Sequence, residues 1–281
     1  MSFVSVIAGA ALVLLALRDV FHTLFHPGDH GAFSAKICAG LWAVGSRAGR
    51  RARLLAGPSA VAATIVVWVA MLVVGFALVY LPWLPDGATY GHGVPSTGGV
   101  EDALYLSSVA LATLGLGDIV LTQPWVRLLT PLQGLLGFGV LTAAIGWVSQ
   151  IYPALARRRS LALEVDSALR VADPAEVTDE QLRDWSASLS GVTVDLVQNS
   201  ETFYFLESDP RLGLGRLVAG LDSVVSALGD PGGDARRSVA SRTLDEALDQ
   251  LASVLAAQFG LPRDRRGVLA ALEVEPGHDH H

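Results

Sequence analysis

Three apolar stretches alternate with polar segments over the first half of the chain. Ala60 to Leu84 contains no charged residue, about Leu128 to Tyr152 has few polar interruptions, and Phe3 to about Phe25 turns polar only after residue 17. A helix needs about 20 mostly apolar residues to cross the hydrocarbon core. The pattern therefore predicts three membrane-spanning helices. We interpret the first as uncleaved, because the positive charge of a signal peptide precedes its apolar run, whereas Arg18 follows this one.

The basic residues predict how these helices cross the membrane. Short cytoplasmic flanks carry an excess of Lys and Arg. Here the basic clusters are residues 36–53 and 157–159, whereas residues 86–125 contain neither Lys nor Arg. We therefore predict that the N-terminus and residues 86–125 lie outside, and that the C-terminal half lies in the cytoplasm.

An amphipathic pattern between the first two spans predicts a further helix. Its apolar residues recur at three- and four-residue steps beside several arginines, and they are Phe33, Ile37, Leu41, Val44 and Ala48. A basic amphipathic helix of this kind rests on the anionic lipids of the inner leaflet, so we expect residues 33–55 to contact anionic lipid. Packing of this helix on the protein itself is the alternative.

The composition changes near residue 160. Residues 1–159 hold 10 Lys and Arg against 6 Asp and Glu, and residues 160–281 hold 10 against 21. An acidic half is not the basic footprint of a nucleic-acid-binding protein, so we predict no nucleic-acid partner. The single cysteine, Cys38, excludes a disulfide framework within the chain and a multi-cysteine zinc site. Nineteen of the 20 basic residues are arginine, which is typical of a high-GC bacterial gene and predicts the bacterial cytoplasmic membrane.

The segment between the second and third spans carries the candidate chemistry. Residues 101–112 have the pattern of a short helix with acids in its first turn, where the helix dipole favours them. The hexad Thr-Leu-Gly-Leu-Gly-Asp follows at residues 113–118. Gly115 and Gly117 allow positive φ, so that consecutive carbonyls can point to one side. Four such strands around an axis would form rings of oxygens that replace the hydration shell of a monovalent cation. The alternative for both glycines is a tight turn in an outer loop.

This hexad resembles the signature of the potassium channel superfamily, T-V-G-Y-G-D, with leucine in place of valine and of tyrosine. Flanking segments are similar to bacterial members of that superfamily. Residues 103–107 resemble the start of the pore helix, residues 125–128 the start of the inner helix, and residues 138–144 an F-G-L-V-T-A-A segment within the inner helix. The resemblance covers about residues 58–153 as a helix–pore loop–helix module of the bacterial pore-loop type, preceded here by one extra N-terminal membrane helix.

The resemblance implies a homotetramer, since each chain supplies one pore loop and the filter needs four. It also implies that K⁺ is the permeant ion, with no other metal or cofactor, and that backbone carbonyls coordinate it. The implied coordinating residues are Thr113, Leu114, Gly115, Leu116 and Gly117. Asp118 is expected to be held behind the filter by the hydroxyl group of Tyr105. Leu116 lacks the hydroxyl that a tyrosine would use to tie the filter to its surroundings, so we expect looser discrimination against Na⁺.

Glycines in the third helix mark candidate bending points. Counting from the filter places the gating hinge of the family at Gly137, whereas the alignment of residues 138–144 selects Gly134. Glycine in a membrane helix also serves close packing, and packing is an equally good interpretation of Gly137. The cavity below the filter is predicted to be lined by Thr142, Ile145 and Ser149.

The C-terminal half is predicted to be helical. Residues 178–181 have the pattern of a capping box. An apolar stripe at helical spacing predicts a bundle core or a subunit contact, and it consists of Leu244, Leu248, Leu251, Leu255 and Phe259. Gly213-Leu214-Gly215 lacks the third glycine of a dinucleotide fingerprint, so the ligand or partner of this half is unknown from the sequence. We interpret His22 and His26 as interfacial, and His278, His280 and His281 as a tail rather than a metal site.

We therefore predict an all-α membrane protein with three transmembrane helices, a re-entrant pore helix and filter, and a helical cytoplasmic domain. The predicted domains are residues 1–57, 58–159 and 160–281. The predicted function is a tetrameric potassium-selective channel. A weakly selective monovalent cation channel and a non-conducting membrane receptor are the alternatives. No nucleophile–base or carboxylate pair lies in an identifiable site context, so an enzyme is not predicted.

Overall fold

The computed structural model describes residues 2–25, 36–37, 40–42, 45, 47, 50–229 and 238–273. Most of these residues are helical, which confirms the predicted all-α fold. The helices are α1 (Ser2–Phe25), α2 (Arg50–Tyr80), α3 (Val100–Leu111), α4 (Pro124–Val171), α5 (Asp179–Gln198), α6 (Leu214–Ala227), α7 (Val239–Phe259) and α8 (Arg265–Glu273). Two short strands of the described chain, β1 (Ala88–Tyr90) and β2 (Ile119–Leu121), pair antiparallel.

Three helices of the described chain are long and apolar enough to cross a membrane, as predicted. They cover Phe3–Thr23, Arg51–Trp83 and Pro124–Val171. The chain divides into two compact units, one of Met1–Leu41 with Ser59–Val148 and one of Trp42–Pro58 with Ser149–His281. We refer to them as the membrane unit and the C-terminal unit and describe each separately.

The second and third spanning helices are longer than the apolar stretches that predicted them. Helix α2 begins at Arg50, ahead of the apolar run, because the arginines, leucines and alanines of residues 50–57 favour a helix without being apolar throughout. It ends at Tyr80, where Leu81–Trp83 tighten into a 3₁₀ turn containing Pro82. Helix α4 continues to Val171. Hydropathy detects the part of a helix that lies in lipid and gives no signal for the helix end.

Helix α1 packs closely on α2 in the membrane unit. A Cβ atom on Gly9 would lie 2.4 Å from the carbonyl oxygen of Gly75, so the two backbones approach as small residues allow. Further along the same pair of helices, the indole Nε1 of Trp68 donates a hydrogen bond of 2.8 Å to the buried carboxylate of Asp19. The ring of Trp68 lies 5.5 Å from that of Trp147 in α4. A carboxylate within a spanning helix thus has a hydrogen-bond donor in the protein interior.

The C-terminal unit has an apolar core formed by one face of each of its main helices. The stripe predicted on α7 is part of this core, because Leu244, Leu248, Leu251 and Leu255 are buried there. The ring of Phe259 stacks on that of Phe203 with their centroids 4.0 Å apart. The predicted capping box is also present, since Thr178 and Gln181 exchange hydrogen bonds at the start of α5. These local and periodic signals were sufficient to predict both features.

The basic cluster at residues 157–159 forms ion pairs within the C-terminal unit. Arg157 binds both carboxylate oxygens of Asp195 at 2.6 and 2.7 Å. Arg158 is 3% exposed and donates to the carbonyl oxygens of Thr202 and Phe205. Arg158 and Arg159 also both bind Glu207 at 2.8 Å. The arginines that indicated membrane orientation in the sequence therefore also hold the turn at residues 199–207 against α4.

We expect Arg158→Met to lower the free energy of unfolding of the C-terminal unit by about 3 kcal/mol. Removal of one partner of a buried ion pair is strongly destabilising, and this variant also leaves the carbonyl oxygens of Thr202 and Phe205 without the arginine donor. Unfolding of the full-length protein in detergent, followed by circular dichroism, measures this loss. Arg183→Met is the matched control, since Arg183 forms an exposed pair with Asp179 at 3.9 Å and such pairs contribute about 1 kcal/mol or less. Equal losses in the two variants would contradict the prediction.

Candidate functional site

The short helix α3 begins at a hydrogen-bonded turn of the membrane unit. Asp102, in its first turn, accepts hydrogen bonds from the backbone N–H of Gly98 at 2.8 Å and from the hydroxyl of Tyr90 at 3.0 Å. Burial raises the pKa of Asp102, but hydrogen bonds from Gly98, Thr97 and Tyr90 outweigh it and hold the pKa below its usual value. Burial and the contact with Asp102 raise the pKa of Tyr90 to about 12. The turn therefore stabilises the ionised carboxylate.

The backbone alternates in handedness directly after α3. The φ angles are +56° at Thr113, +55° at Gly115 and +77° at Gly117. Among the described residues, Thr113 is the sole non-glycine residue with positive φ, so Leu114 and Leu116 between these positions have negative φ. Alternation of this kind is the backbone condition under which successive carbonyls point to the same side. The sequence indicated positive φ at the two glycines and gave no signal for Thr113, because a β-branched residue disfavours this region.

The segment 113–117 is exposed within the single chain. The side chains of Leu114 and Leu116 are 63% and 61% exposed, and a Cβ atom on Gly115 would meet nothing within 4 Å. At its start, the backbone N–H groups of Thr113 and Leu114 donate to carbonyls of α3 at 3.0 Å. This segment is therefore attached to the end of α3 and leaves its other side uncovered by the chain.

The C-terminal end of the segment is held by Asp118. The hydroxyl of Tyr105 donates to its carboxylate at 2.5 Å, and this hydrogen bond is the main cause that raises the pKa of Tyr105. The carbonyl oxygen of Asp118 accepts from the N–H of Gly91 at 2.7 Å, next to the pairing of Tyr90 with Ile119. The structure thus brings together Tyr105 and Asp118, which the resemblance had paired. It adds the small sheet, whose three-residue strands were too short to show a period in the sequence.

A buried polar cluster behind α3 was not recognised in the sequence as part of the site. Gln133 in α4 accepts a hydrogen bond from the hydroxyl of Tyr80 at 2.8 Å, and it donates to the carbonyl oxygen and to the hydroxyl of Ser107 at 2.9 and 2.8 Å. The hydroxyl of Ser107 donates to the carbonyl oxygen of Val73 at 2.7 Å. The available signal was the amide group in an apolar span, because polar groups inside membrane segments mark functional or structural contacts.

The two candidate hinge glycines lie against the end of α3. A Cβ atom on Gly137 would lie 2.3 Å from the carbonyl oxygen of Leu111, and one on Gly134 would lie 3.3 Å from that of Ala110. Close packing is therefore an observed role of Gly137, and bending at either glycine stays a prediction. The predicted cavity residues Thr142, Ile145 and Ser149 are exposed on α4 in the single chain.

Several predictions on metal and lipid contacts fall on residues that the structure does not describe. They concern Phe33, Val44 and Ala48 of the amphipathic pattern, as well as Cys38, His26, His278, His280 and His281. Within the described ranges, no group of three His, Cys, Asp or Glu side chains is arranged to hold a metal ion. His22 lies edge-on to the ring of Phe21, with 6.2 Å between the ring centroids.

Comparison with protein families matches residues 63–152 to the family described as "Ion channel". The match includes most of α2, all of α3, the segment 113–118 and the first part of α4. Residues 63–152 are similar to this family, and we refer to them as the channel module. The resemblance to the potassium channel superfamily, stated above from the hexad and its flanks, is confirmed at the level of the family.

The chain is also similar to a bacterial membrane protein. The chain is 26% identical over 170 residues to the uncharacterized membrane protein YdjJ of Bacillus subtilis (strain 168). The match covers 57% of this chain and 48% of the relative, so the chain spans about half of that protein. No solved structure gives a significant match.

Proposed function

We propose that the protein is a homotetrameric potassium channel of the bacterial cytoplasmic membrane, which conducts K⁺ through the backbone of Thr113–Gly117. The observation that carries the proposal is the alternation of positive and negative φ over these five residues. A strand of this kind can present a carbonyl oxygen from each residue to one axis. The N-terminus and the outer turn would lie outside the cell, and the C-terminal unit would lie in the cytoplasm.

The proposed chemistry is replacement of water by peptide oxygens. Transfer of a cation without ligands from water into a low-dielectric medium costs tens of kcal/mol of free energy. Rings of carbonyl oxygens can take the place of its hydration shell. The C-terminal end of α3 precedes Thr113, so its dipole would direct partial negative charge towards the inner entrance of the filter. No covalent step is needed, and ions would move down their gradient.

Exposure of the segment 113–117 supports assembly from several copies. One chain supplies one strand, and Leu114 and Leu116 are largely uncovered in it. Helix α4 also carries exposed apolar side chains at helical spacing, and these are Leu128, Leu132, Leu135, Phe138, Leu141 and Ile145. Four copies around an axis would cover the filter leucines and part of this stripe, and lipid or the cavity would meet the remainder.

Leu116 keeps a weakly selective monovalent cation channel as the second candidate, because its side chain offers no hydrogen bond to hold the middle of the filter. Reversal potentials of the purified protein in planar bilayers, with K⁺ on one side and Na⁺ on the other, separate the two candidates. A potential near zero would favour the weakly selective channel. Absence of current under every gating condition would contradict both and favour a non-conducting receptor.

We expect Tyr105→Phe to lower the K⁺-to-Na⁺ permeability ratio about fivefold, because each subunit then loses the hydrogen bond that holds the carboxylate of Asp118. The same reversal-potential measurement gives the ratio. Tyr152→Phe is the control, since Tyr152 is 60% exposed on α4, and we expect the wild-type ratio for it. A ratio unchanged by Tyr105→Phe would show that Asp118 does not depend on this hydroxyl.

A further inference from the structure

Gln133 uses every hydrogen-bonding atom of its side chain in a completely buried position. Its amide oxygen accepts from Tyr80, and its two amide hydrogens go to the carbonyl and hydroxyl oxygens of Ser107. Gln133, Tyr80 and Ser107 are each 0% exposed. The three residues come from α4, α2 and α3, so a single amide connects the two spanning helices of the channel module to the helix that precedes the filter.

We propose that Gln133 is a positioning residue for the filter, and that it sets the discrimination between K⁺ and Na⁺ by fixing the depth and rotation of α3. This inference rests on the proposed function and assigns to Gln133 a role that neither the motif nor its flanks contain. Gln133 does not touch the ion path. It acts on Thr113 through the five residues of helix and turn that separate Ser107 from Thr113.

Two glycine contacts that follow Gln133 along α4 connect its position to the end of α3. Gly134, the residue after Gln133, lies against the carbonyl of Ala110 and the methyl group of Thr113. Gly137, one turn beyond Gln133, lies against the carbonyl of Leu111. Helix α4 therefore contacts α3 at Ser107, Ala110 and Leu111 in succession. The two glycine contacts limit how closely α3 approaches, whereas the hydrogen bonds of Gln133 are directional and oppose sliding and rotation.

Position 116 has leucine where the potassium channel signature has tyrosine, and this makes the fixed position of α3 more important in this chain. A leucine in the middle of the filter offers no hydrogen bond to the helices around it. The filter is then held at its outer end by the hydrogen bond from Tyr105 to Asp118, and at its base by the position of α3. Gln133 fixes that position.

The test compares Gln133→Leu with Gln150→Leu, which makes the same change at an exposed position of α4. Reversal potentials between K⁺ and Na⁺ are measured for each purified variant in planar bilayers, and assembly is checked by size-exclusion chromatography with light scattering. We expect Gln133→Leu to lower the permeability ratio about tenfold in an assembled protein, and Gln150→Leu to keep the wild-type ratio. An assembled Gln133→Leu protein with the wild-type ratio would overturn the inference and leave the proposed function intact.

A triple variant tests whether the hydrogen bonds of Gln133 are needed, or whether a buried apolar side chain without unpaired partners is sufficient. Gln133→Leu combined with Ser107→Ala and Tyr80→Phe removes both partners of the two hydrogen bonds that join Gln133 to other side chains, and removal of both partners is nearly neutral for stability. The carbonyl oxygen of Ser107 remains as part of the backbone of α3. We expect this variant to assemble and unfold like the wild type, while its permeability ratio stays as low as that of Gln133→Leu. Recovery of the wild-type ratio would overturn the inference, because satisfied burial alone would then be sufficient.

Tyr80→Phe alone decides the outcome if Gln133→Leu fails to assemble. It removes the hydroxyl that donates to Gln133 and also hydrogen-bonds with Thr130, with little change of volume, and we expect a ratio about threefold below the wild type. An unchanged ratio would overturn the inference. The proposed function is tested separately by the wild-type protein, because a wild type without discrimination between K⁺ and Na⁺ would contradict potassium selectivity itself, and the inference would fail with it.

Discussion

Replacement of Gly115 by alanine is expected to reduce K⁺ flux at least tenfold. Gly115 has a φ of +55°, a region in which an L-residue with a Cβ atom costs about 1–2 kcal/mol. In the proposed tetramer this cost falls on four strands at once. Relaxation to negative φ would rotate a carbonyl away from the axis in each strand and break the sequence of oxygens. Flux of K⁺ or Rb⁺ into liposomes containing the purified protein measures the effect.

The appropriate control makes the same substitution away from the filter. Gly191 lies within α5 of the C-terminal unit, has no positive φ, and has open space at its Cβ position. Gly191→Ala is therefore expected to keep the wild-type flux. Flux that survives Gly115→Ala in a correctly assembled protein would contradict the role of this backbone in conduction. Loss of flux in both variants would indicate a general defect.

Gly137→Ala is expected to lower the thermal stability of the membrane unit and to reduce flux. The new Cβ atom would lie 2.3 Å from the carbonyl oxygen of Leu111, which is backbone and cannot rotate away. Overpacking of this kind costs about 1–3 kcal/mol. Because Leu111 lies two residues before Thr113, a shift of α3 to relieve the contact also moves the start of the proposed filter. Thermal unfolding of the full-length protein in detergent and flux in liposomes measure the two effects.

Gly139→Ala is the matched control on the same helix. Its Cβ position has no neighbour within 4 Å, and alanine is about 1 kcal/mol better than glycine in a helix, so we expect unchanged or slightly higher stability. A hinge at Gly137 makes a different prediction, in which Gly137→Ala unfolds at the wild-type temperature and changes the fraction of time the pore is open. Wild-type stability of Gly137→Ala would contradict the packing role.

The sequence predicted those features that depend on local pattern. The three spans, the short helix before the hexad and the capping box at Thr178 follow from hydropathy, from acids at a helix start and from the spacing of Thr and Gln. The positive φ of Thr113 could not be predicted, since its own residue type disfavours it and the surrounding structure holds it. The hydrogen bonds of Gln133 could not be predicted from the sequence either, because its partners lie 26 and 53 residues away. Which buried atoms meet is decided by packing rather than by spacing.

Burial of Asp19 against Trp68 bears on how the chain is inserted into the bilayer. An isolated helix with a carboxyl group near its end enters lipid less readily than one without. Trp68 follows Asp19 by 49 residues, so this hydrogen bond can form only after synthesis has passed residue 68. Stable residence of α1 is therefore coupled to the synthesis of α2, and the two helices should leave the translocation machinery as a pair.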